Sequence, residues 1–153
     1  MKVNQGLFSS KNDEYETPPD VFRALDREFG FETDVCATPD NAKCPVFYTP
    51  EQDGLRREWR GVCWRNPPYG AGIGSWIAKA YVSSLHGATV VCLVPARTDT
   101  RWWHDFAMRG EIRFIQGRLR FGDAAGTGPL PSAVVIFRPR RYLRQERGVH
   151  YKP

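Results

Sequence analysis

The chain has 153 residues, 41% of them apolar and 13% aromatic. That is enough for one compact core and too little for two, and it excludes a disordered tail. A formal charge of +5 and an isoelectric point near 9.2 favour a polyanionic partner. The charge is unevenly spread. Residues 1–76 hold nine basic and twelve acidic residues, a net of −3, whereas residues 77–153 hold thirteen and five, a net of +8. Two solvated faces would produce this split, and so would one domain with a small-molecule end and a phosphate-facing end.

The longest apolar run, Ala88 to Ala96, is far short of a membrane span, and MKVNQGLFSSKNDEYE lacks the apolar centre of a signal peptide. A soluble intracellular protein is expected. Cys36, Cys44, Cys63 and Cys92 are widely spaced, without a CxxC or a nearby histidine pair, which argues against zinc and against any metal site. Cys63 and Cys92 lie in apolar runs and read as small buried hydrophobes in a reducing compartment.

In chain order, residues 1–13 read as a flexible leader, 14–138 as the folded domain and 139–153 as a basic tail. Thr17 as N-cap, Pro18 at the first helical position and Asp20 at the third announce a helix. Val21, Phe22, Leu25 and Phe29 recur at helical spacing, and Gly30 stops the run. Phe31 to Val35 reads as a short strand containing Asp34. A polar loop with Pro39 and Pro45 leads to a second short strand, Val46 to Thr49. Gly61 to Arg65 reads as a buried strand that runs directly into Asn66-Pro67-Pro68-Tyr69.

Ile73 to His86 is an amphipathic helix carrying Ile73, Trp76, Ile77, Ala80, Tyr81 and Leu85 on one side. Ala88 to Val94 is apolar throughout, as in a strand covered on both faces, and Pro95 is expected to end it. Arg101 to Arg109 reads as a short helix. Asp99 and Thr100 are candidates for its cap, and at least one of Trp102 and Trp103 belongs in the core. His104 has no evident ligand partners. Glu111 to Ile115, Gly117 to Phe121 and Ala133 to Arg138 read as strands. Between the last two lies a small-residue loop, Gly122 to Pro131. The alternation predicts an α/β layered domain.

The four residues Asn66 to Tyr69 carry the most information. They follow a strand and precede a helix, which puts them at the carboxyl edge of a sheet, where open α/β sheets bind ligands. The plainer alternative is a proline-stiffened loop with an exposed tyrosine.

With YETPPDVFRALDREFGF, DVCA, NAKC, FYTPEQDGL, WRNPPYG, VPARTDTRWWHD, GRLRF and PSAVVIF in this order, the chain resembles the S-adenosylmethionine-dependent amino-methyltransferases, and among them the phage-type DNA N6-adenine methyltransferases. The resemblance covers about Tyr15 to Phe137. It implies a three-layer α/β/α sandwich of Rossmann-like methyltransferase type, with a mostly parallel sheet and a C-terminal antiparallel hairpin. It implies S-adenosyl-L-methionine as cofactor, DNA as partner with the target base flipped out of a duplex, and a monomer or homodimer. It also implies the cytoplasm of a bacterial host, for a phage- or prophage-borne protein.

The chemistry fits those residues. The amino group of adenine is a weak nucleophile, and methylation builds positive charge on its nitrogen. The Asn66 side-chain oxygen and the Pro67 carbonyl are suited to accept from that amine. Pro68 would stiffen the Pro67 carbonyl, and Tyr69 would stack on the base. No acid–base residue is required. The resemblance further implies Tyr15, Thr17 and Pro18 at the methionine carboxylate, Asp34 at the cofactor's amino end and Asp53 at its adenine. The plainer alternatives are a helix cap, a solvated strand-end carboxylate and a turn aspartate before glycine. The loop DVCATPDNAK has no glycine, unlike the glycine-rich loop of many methyltransferases.

Arg97, Arg101, Arg118 and Arg120 are candidates for DNA phosphate contacts. Cytosine N4, RNA adenine or a protein glutamine as acceptor, and a non-catalytic DNA-binding protein, remain open alternatives. A chain this short has no room for a separate target-reading domain, so a short or relaxed target is expected.

Overall fold

The computed structural model describes residues 17–66, 70, 72–120 and 130–139. The leader, Tyr15, Pro67, Pro68, Tyr69, most of the 122–131 loop and nearly all of the basic tail lie outside the described residues. Six strands form one sheet: β1 (Thr33–Asp34), β2 (Val46–Phe47), β3 (Val62–Arg65), β4 (Thr89–Pro95), β5 (Glu111–Phe114) and β6 (Ser132–Phe137). Their order is β2-β1-β3-β4-β6-β5. The pairs from β2 through β4 are parallel, and β6 is antiparallel to both β4 and β5. The helices are α1 (Pro19–Phe29), α2 (Ile73–Leu85) and α3 (Arg101–Asp105).

β4 and β6 show why the sheet is internal. Every residue of β6 is buried, and all of β4 beyond Thr89. Val90, Cys92 and Val94 of β4, with Ala133, Val135 and Phe137 of β6, pack with Ile73, Ile77 and Ala80 of α2 and with Trp103. The alternate residues Val91, Leu93, Val134 and Ile136 pack with Trp64 and with Leu25 of α1. The period of two thus delivers one strand to two apolar clusters. Each buried valine or leucine contributes roughly 1.5–3 kcal/mol, which makes β4 and β6 the firmest part of the sheet.

Several boundaries differ from the sequence reading. α1 begins at Pro19, with Pro18 as its extended N-cap, and Thr17 makes no capping bond. Pro19 therefore takes the first helical position and Asp20 the second. The first turn closes through the Phe22 amide, which donates to the Pro18 carbonyl at 3.1 Å. Gly30 ends α1 in the left-handed region as expected, at φ 67°. β1 and β2 keep only two residues each. Backbone bonds from Glu32 to Val62, Val35 to Trp64 and Tyr48 to Asp34 nevertheless continue the pairing around them.

Pro95 lies within β4 rather than after it, paired with Ser132. The expected helix over 101–109 breaks at Phe106 into α3 and a 3-10 turn, Ala107–Arg109. The segment 117–120 is not a strand; β6 takes β5 as its edge partner instead. Leu85 is exposed, and Ser83 and Ser84 are buried in its place near the end of α2. There the chain turns sharply, with the Ser84 hydroxyl bonded to the Tyr81 carbonyl and the Ala88 amide to Ser83. Trp103 is the buried member of its pair, and Trp102 packs beside it. Thr100 precedes α3, but its hydroxyl donates to the Arg97 carbonyl at 2.7 Å instead of capping the helix.

Among the described residues no helix is long and apolar enough to cross a membrane.

Candidate active site

The chain runs from β1 to β2 on one side and reaches β3 on the other side of β1. Connections leave β1 and β3 in opposite directions across the sheet, so the carboxyl ends of these two strands bound a crevice. Asn66 follows the last residue of β3, and the loop starting at Val35 follows β1.

Asn66 is held from a distance of 49 residues. Its side-chain nitrogen Nδ2 donates to the Thr17 hydroxyl oxygen at 2.7 Å. Thr17 is only 2% exposed. The residue read as a helix cap is therefore attached to the end of the central strand. The same bond ties the entry of α1 to the strand edge.

Asp34 at the end of β1 is 3% exposed. Its carboxylate accepts from the backbone N–H of Cys36 at 3.3 Å and of Lys43 at 3.1 Å. Burial pushes the carboxyl up to about 6, and the two backbone donors oppose that rise. Within the loop, Asn41 accepts from the Thr38 amide at 2.7 Å, and the Ala42 amide donates back to the Thr38 carbonyl. Two acceptor side chains thus organise a turn that contains no glycine. A carboxylate has about four lone-pair positions, so these two bonds leave Asp34 further acceptor capacity.

Asp53 sits in a left-handed turn at φ 51°, and its side chain accepts from the Leu55 amide. The next residue must be small. A Cβ on Gly54 would lie 2.2 Å from the Val35 carbonyl oxygen and 3.1 Å from the Trp76 ring. This close approach seats the Asp53 turn against the backbone that follows Asp34. The Asp53 carboxylate remains about half exposed. Asp34, Asp53, Thr17 and Asn66 are accordingly tied to the β1 and β3 ends by backbone contacts or direct bonds.

Beyond β4 lies a pocket of about 460 Å³, lined by Gly70, Ile73, Pro95, Arg97, Thr100, Trp102 and Leu130. It brings Arg97 beside the loop that leaves Asn66. Arg101 is exposed at the start of α3, next to this pocket's Thr100 and Trp102. Arg118 and Arg120 are exposed on the segment after β5. The His104 Nε2 is paired with the Thr98 carbonyl at 2.7 Å.

Comparison with known proteins identifies a family. A family described as DNA N-6-adenine-methyltransferase (Dam) matches residues 5–149. The chain belongs to this family. It is 34% identical over 151 aligned positions to the DNA N-6-adenine-methyltransferase of Haemophilus phage HP1 (strain HP1c1), covering 92% of this chain and 87% of the relative. It is 31% identical over 167 positions to the DNA N-6-adenine-methyltransferase of Escherichia phage T1, covering 92% of this chain and 68% of the relative. The family reading drawn from the ordered motifs is thereby borne out.

Within this family member, one feature of the site escaped the sequence reading. Arg65 immediately precedes Asn66 and is 0% exposed. It lies over the Trp76 ring at 4.9 Å from the centroid, with the Cys92 thiol as the polar side chain beside its buried guanidinium. Burial lowers it to about 10. Its register partner Cys92 is pushed up to about 11 by the same burial. The available signal was an arginine closing an otherwise apolar strand, a pattern that ordinarily marks solvent. Asn41 was also missed, although an Asn three residues after Thr38 in a polar loop is a turn signal.

Proposed function

We propose that this chain transfers the methyl group of S-adenosyl-L-methionine to the exocyclic N6 of adenine in DNA, with Asn66, Pro67, Pro68 and Tyr69 holding the acceptor. The observation that carries the reading is Asn66, set at the carboxyl end of β3 beside the strand-order reversal in a member of this family. When bound, the cofactor supplies a methyl group made electrophilic by a sulfonium centre. The new bond joins N6 to that carbon. The methyl would leave the sulfur, which would keep the bonding electron pair, and the proton lost by N6 would pass to solvent water.

The protein's task is to accept from the amine as its positive charge grows. The Asn66 oxygen and the Pro67 carbonyl accept the two amino hydrogens, and the bond to Thr17 holds the Asn66 amide before the base arrives, which limits its reorganisation in the transition state. Pro68 limits the freedom of the Pro67 carbonyl. Tyr69 stacks on the base, offsetting part of the cost of flipping it from duplex DNA.

The residues at the strand ends suit the cofactor. The segment with Tyr15, Thr17 and Pro18 approaches the methionine carboxylate. The buried, acceptor-rich Asp34 suits its ammonium group. Asp53, on a turn pressed against Trp76, suits the adenine amino group. Arg97, Arg101, Arg118 and Arg120 contact DNA phosphates, with Arg97 beside the pocket next to the Asn66 loop.

This reading takes 14–138 as the catalytic domain and a three-layer, Rossmann-like arrangement as its architecture. The two apolar clusters, one with α2 and one with α1, support that arrangement. The enzyme works in the host cytoplasm on a short or relaxed target.

The test incubates the full chain with methyl-labelled S-adenosylmethionine and unmethylated DNA, RNA or protein, followed by digestion. Labelled N6-methyladenine from DNA is the expected product. Label in N4-methylcytosine, RNA or protein alone, or DNA binding without transfer, overturns the reading. Asn66→Ala is expected to abolish transfer while keeping cofactor binding.

A further inference from the structure

We infer that Phe114 enters the DNA base stack and holds it open while the target adenine is out of the duplex. The inference rests on the DNA methylation proposed above. Phe114 is the last residue of β5 and is 70% exposed, although it stands on a paired strand. Its place follows from the pairing. β3 is parallel to β4, and β4 and β5 are both antiparallel to β6, so β3, β4 and β5 end at one edge of the sheet. Arg65 is level with Cys92, which puts Asn66 near the level of Leu93, while Phe114 is level, through Ala133, with Val94. The two residues are thus at nearly equal height and three strand spacings apart, about 14 Å. That span is close to the width of a B-DNA major groove, about 12 Å, so a single duplex along this edge reaches both.

Aromatic contacts bridge the interval. Trp102 lines the pocket beside the loop that leaves Asn66, the Trp103 ring meets it edge-on at 5.8 Å, and Phe114 lies 6.4 Å from Trp103. Trp103 is buried, so the exposed ring rests on a fixed one. The Ile115 amide donates to the Ser132 carbonyl at 3.1 Å, which carries the pairing past Phe114 and holds its backbone. Positive charge flanks the ring. Arg101 is exposed on the same short helix as the two tryptophans, and Arg118 and Arg120 are exposed just after β5. Arginines of this kind take backbone phosphates, and a rigid apolar ring between them is left to meet the bases. Apolar side chains wedge between base steps in such a setting. A flipped adenine leaves a gap in the stack, and an aromatic face recovers part of the stacking lost there. Phe114 therefore acts on the DNA conformation and does not touch the reacting atoms.

The test uses the full chain and duplex oligonucleotides built around an adenine that the assay above shows to be methylated. Phe114→Ala is expected to lower kcat/KM on fully paired duplex about ten- to a hundredfold, the range set by loss of one base–aromatic stack. An abasic site opposite the target removes its pairing partner and cheapens flipping, and there the deficit should shrink to less than about fivefold. Phe114→Trp should recover most of the rate on paired duplex. With 2-aminopurine in place of the target adenine, the fluorescence rise at saturating protein should be smaller for Phe114→Ala than for the unmodified chain. Calorimetric affinity for S-adenosylhomocysteine should be retained. An unchanged rate, or an equal deficit on both duplexes, overturns the proposal and makes Phe114 at most a general contact. A dimer that Phe114→Ala dissociates in sedimentation overturns it in favour of a contact between copies of this chain. Weakened S-adenosylhomocysteine binding overturns it in favour of a structural role. Failure of the unmodified chain to form N6-methyladenine overturns the methylation reading itself, and this proposal with it.

Discussion

Arg65 lies over Trp76 at 4.9 Å from the ring centroid, and its buried guanidinium has the Cys92 thiol beside it and no carboxylate partner among the described ion pairs. A buried charge left in this state lowers stability, and the cation–π contact returns only about 2 kcal/mol of a larger desolvation penalty. Arg65→Met keeps the length and removes the charge. It is expected to raise the unfolding free energy of the ligand-free protein by about 1–3 kcal/mol. Scanning calorimetry checks this, and a lower midpoint would show that the guanidinium is stabilising where it lies.

Asp34 gives the protein a pH dependence of unusual sign for an aspartate. Its folded-state value of about 6 lies above the ordinary 3.8 because burial dominates. The folded state therefore binds the proton more tightly than the unfolded state. The stabilisation is full below the unfolded value and is lost as pH rises through about 6. This group should make the protein more stable at pH 5 than at pH 7, by about 1 kcal/mol. Urea titrations at several pH values should show this slope in the native sequence and a flattened one in Asp34→Asn. Hydrogen exchange at the Lys43 amide should quicken in the variant, because one backbone donor loses its carboxylate.

Gly54→Ala tests whether the Asp53 turn is seated by close backbone contact. The added carbon would come within 2.2 Å of the Val35 carbonyl oxygen, and backbone cannot yield as a flexible side chain would. A loss of about 2 kcal/mol or more is expected in denaturant unfolding. A loss below about 0.5 kcal/mol would show that the turn floats free of β1.

Glu28 and Arg113 join α1 to β5 through two parallel bonds of 2.7 Å. Arg113 also meets Glu111, which Arg138 meets in turn, and both arginines lie over the Phe29 ring. The hydrogen bond from Arg113 holds the Glu28 carboxyl below its ordinary value. The groups are partly exposed, so Glu28→Gln is expected to cost less than about 1 kcal/mol. The loss should shrink further in 1 M salt, where the screening length is about 3 Å. An undiminished loss in high salt would assign the effect to packing on Phe29 instead.

The central strands and the strand-end position of Asn66 were legible because they depend on local pattern. Ala88 to Val94 is apolar throughout, and Asn66 stands where the apolar run from Gly61 meets two prolines, which lack the N–H a strand ladder needs. The Thr17–Asn66 bond was not legible. It joins residues 49 positions apart, and Thr17 before two prolines carries the same local signature as a helix cap. Arg65 was missed because charge at a strand end ordinarily means water, and only its placement beneath Trp76 reverses that. The strand expected over 117–121 failed for another reason. Its alternation suits an edge, but β5 already occupies the place beside β6.

The position of β6 has a consequence for synthesis. This strand follows all the other described strands in sequence, yet it lies between β4 and β5 and pairs with six residues of β4. A nascent chain that has emerged only as far as β5 exposes the apolar edge of β4 with nothing to cover it. The ribosome must therefore deliver residue 137 before the sheet can close. Translation stalled or stopped before that point should yield material for proteases and chaperones, with no partly working enzyme.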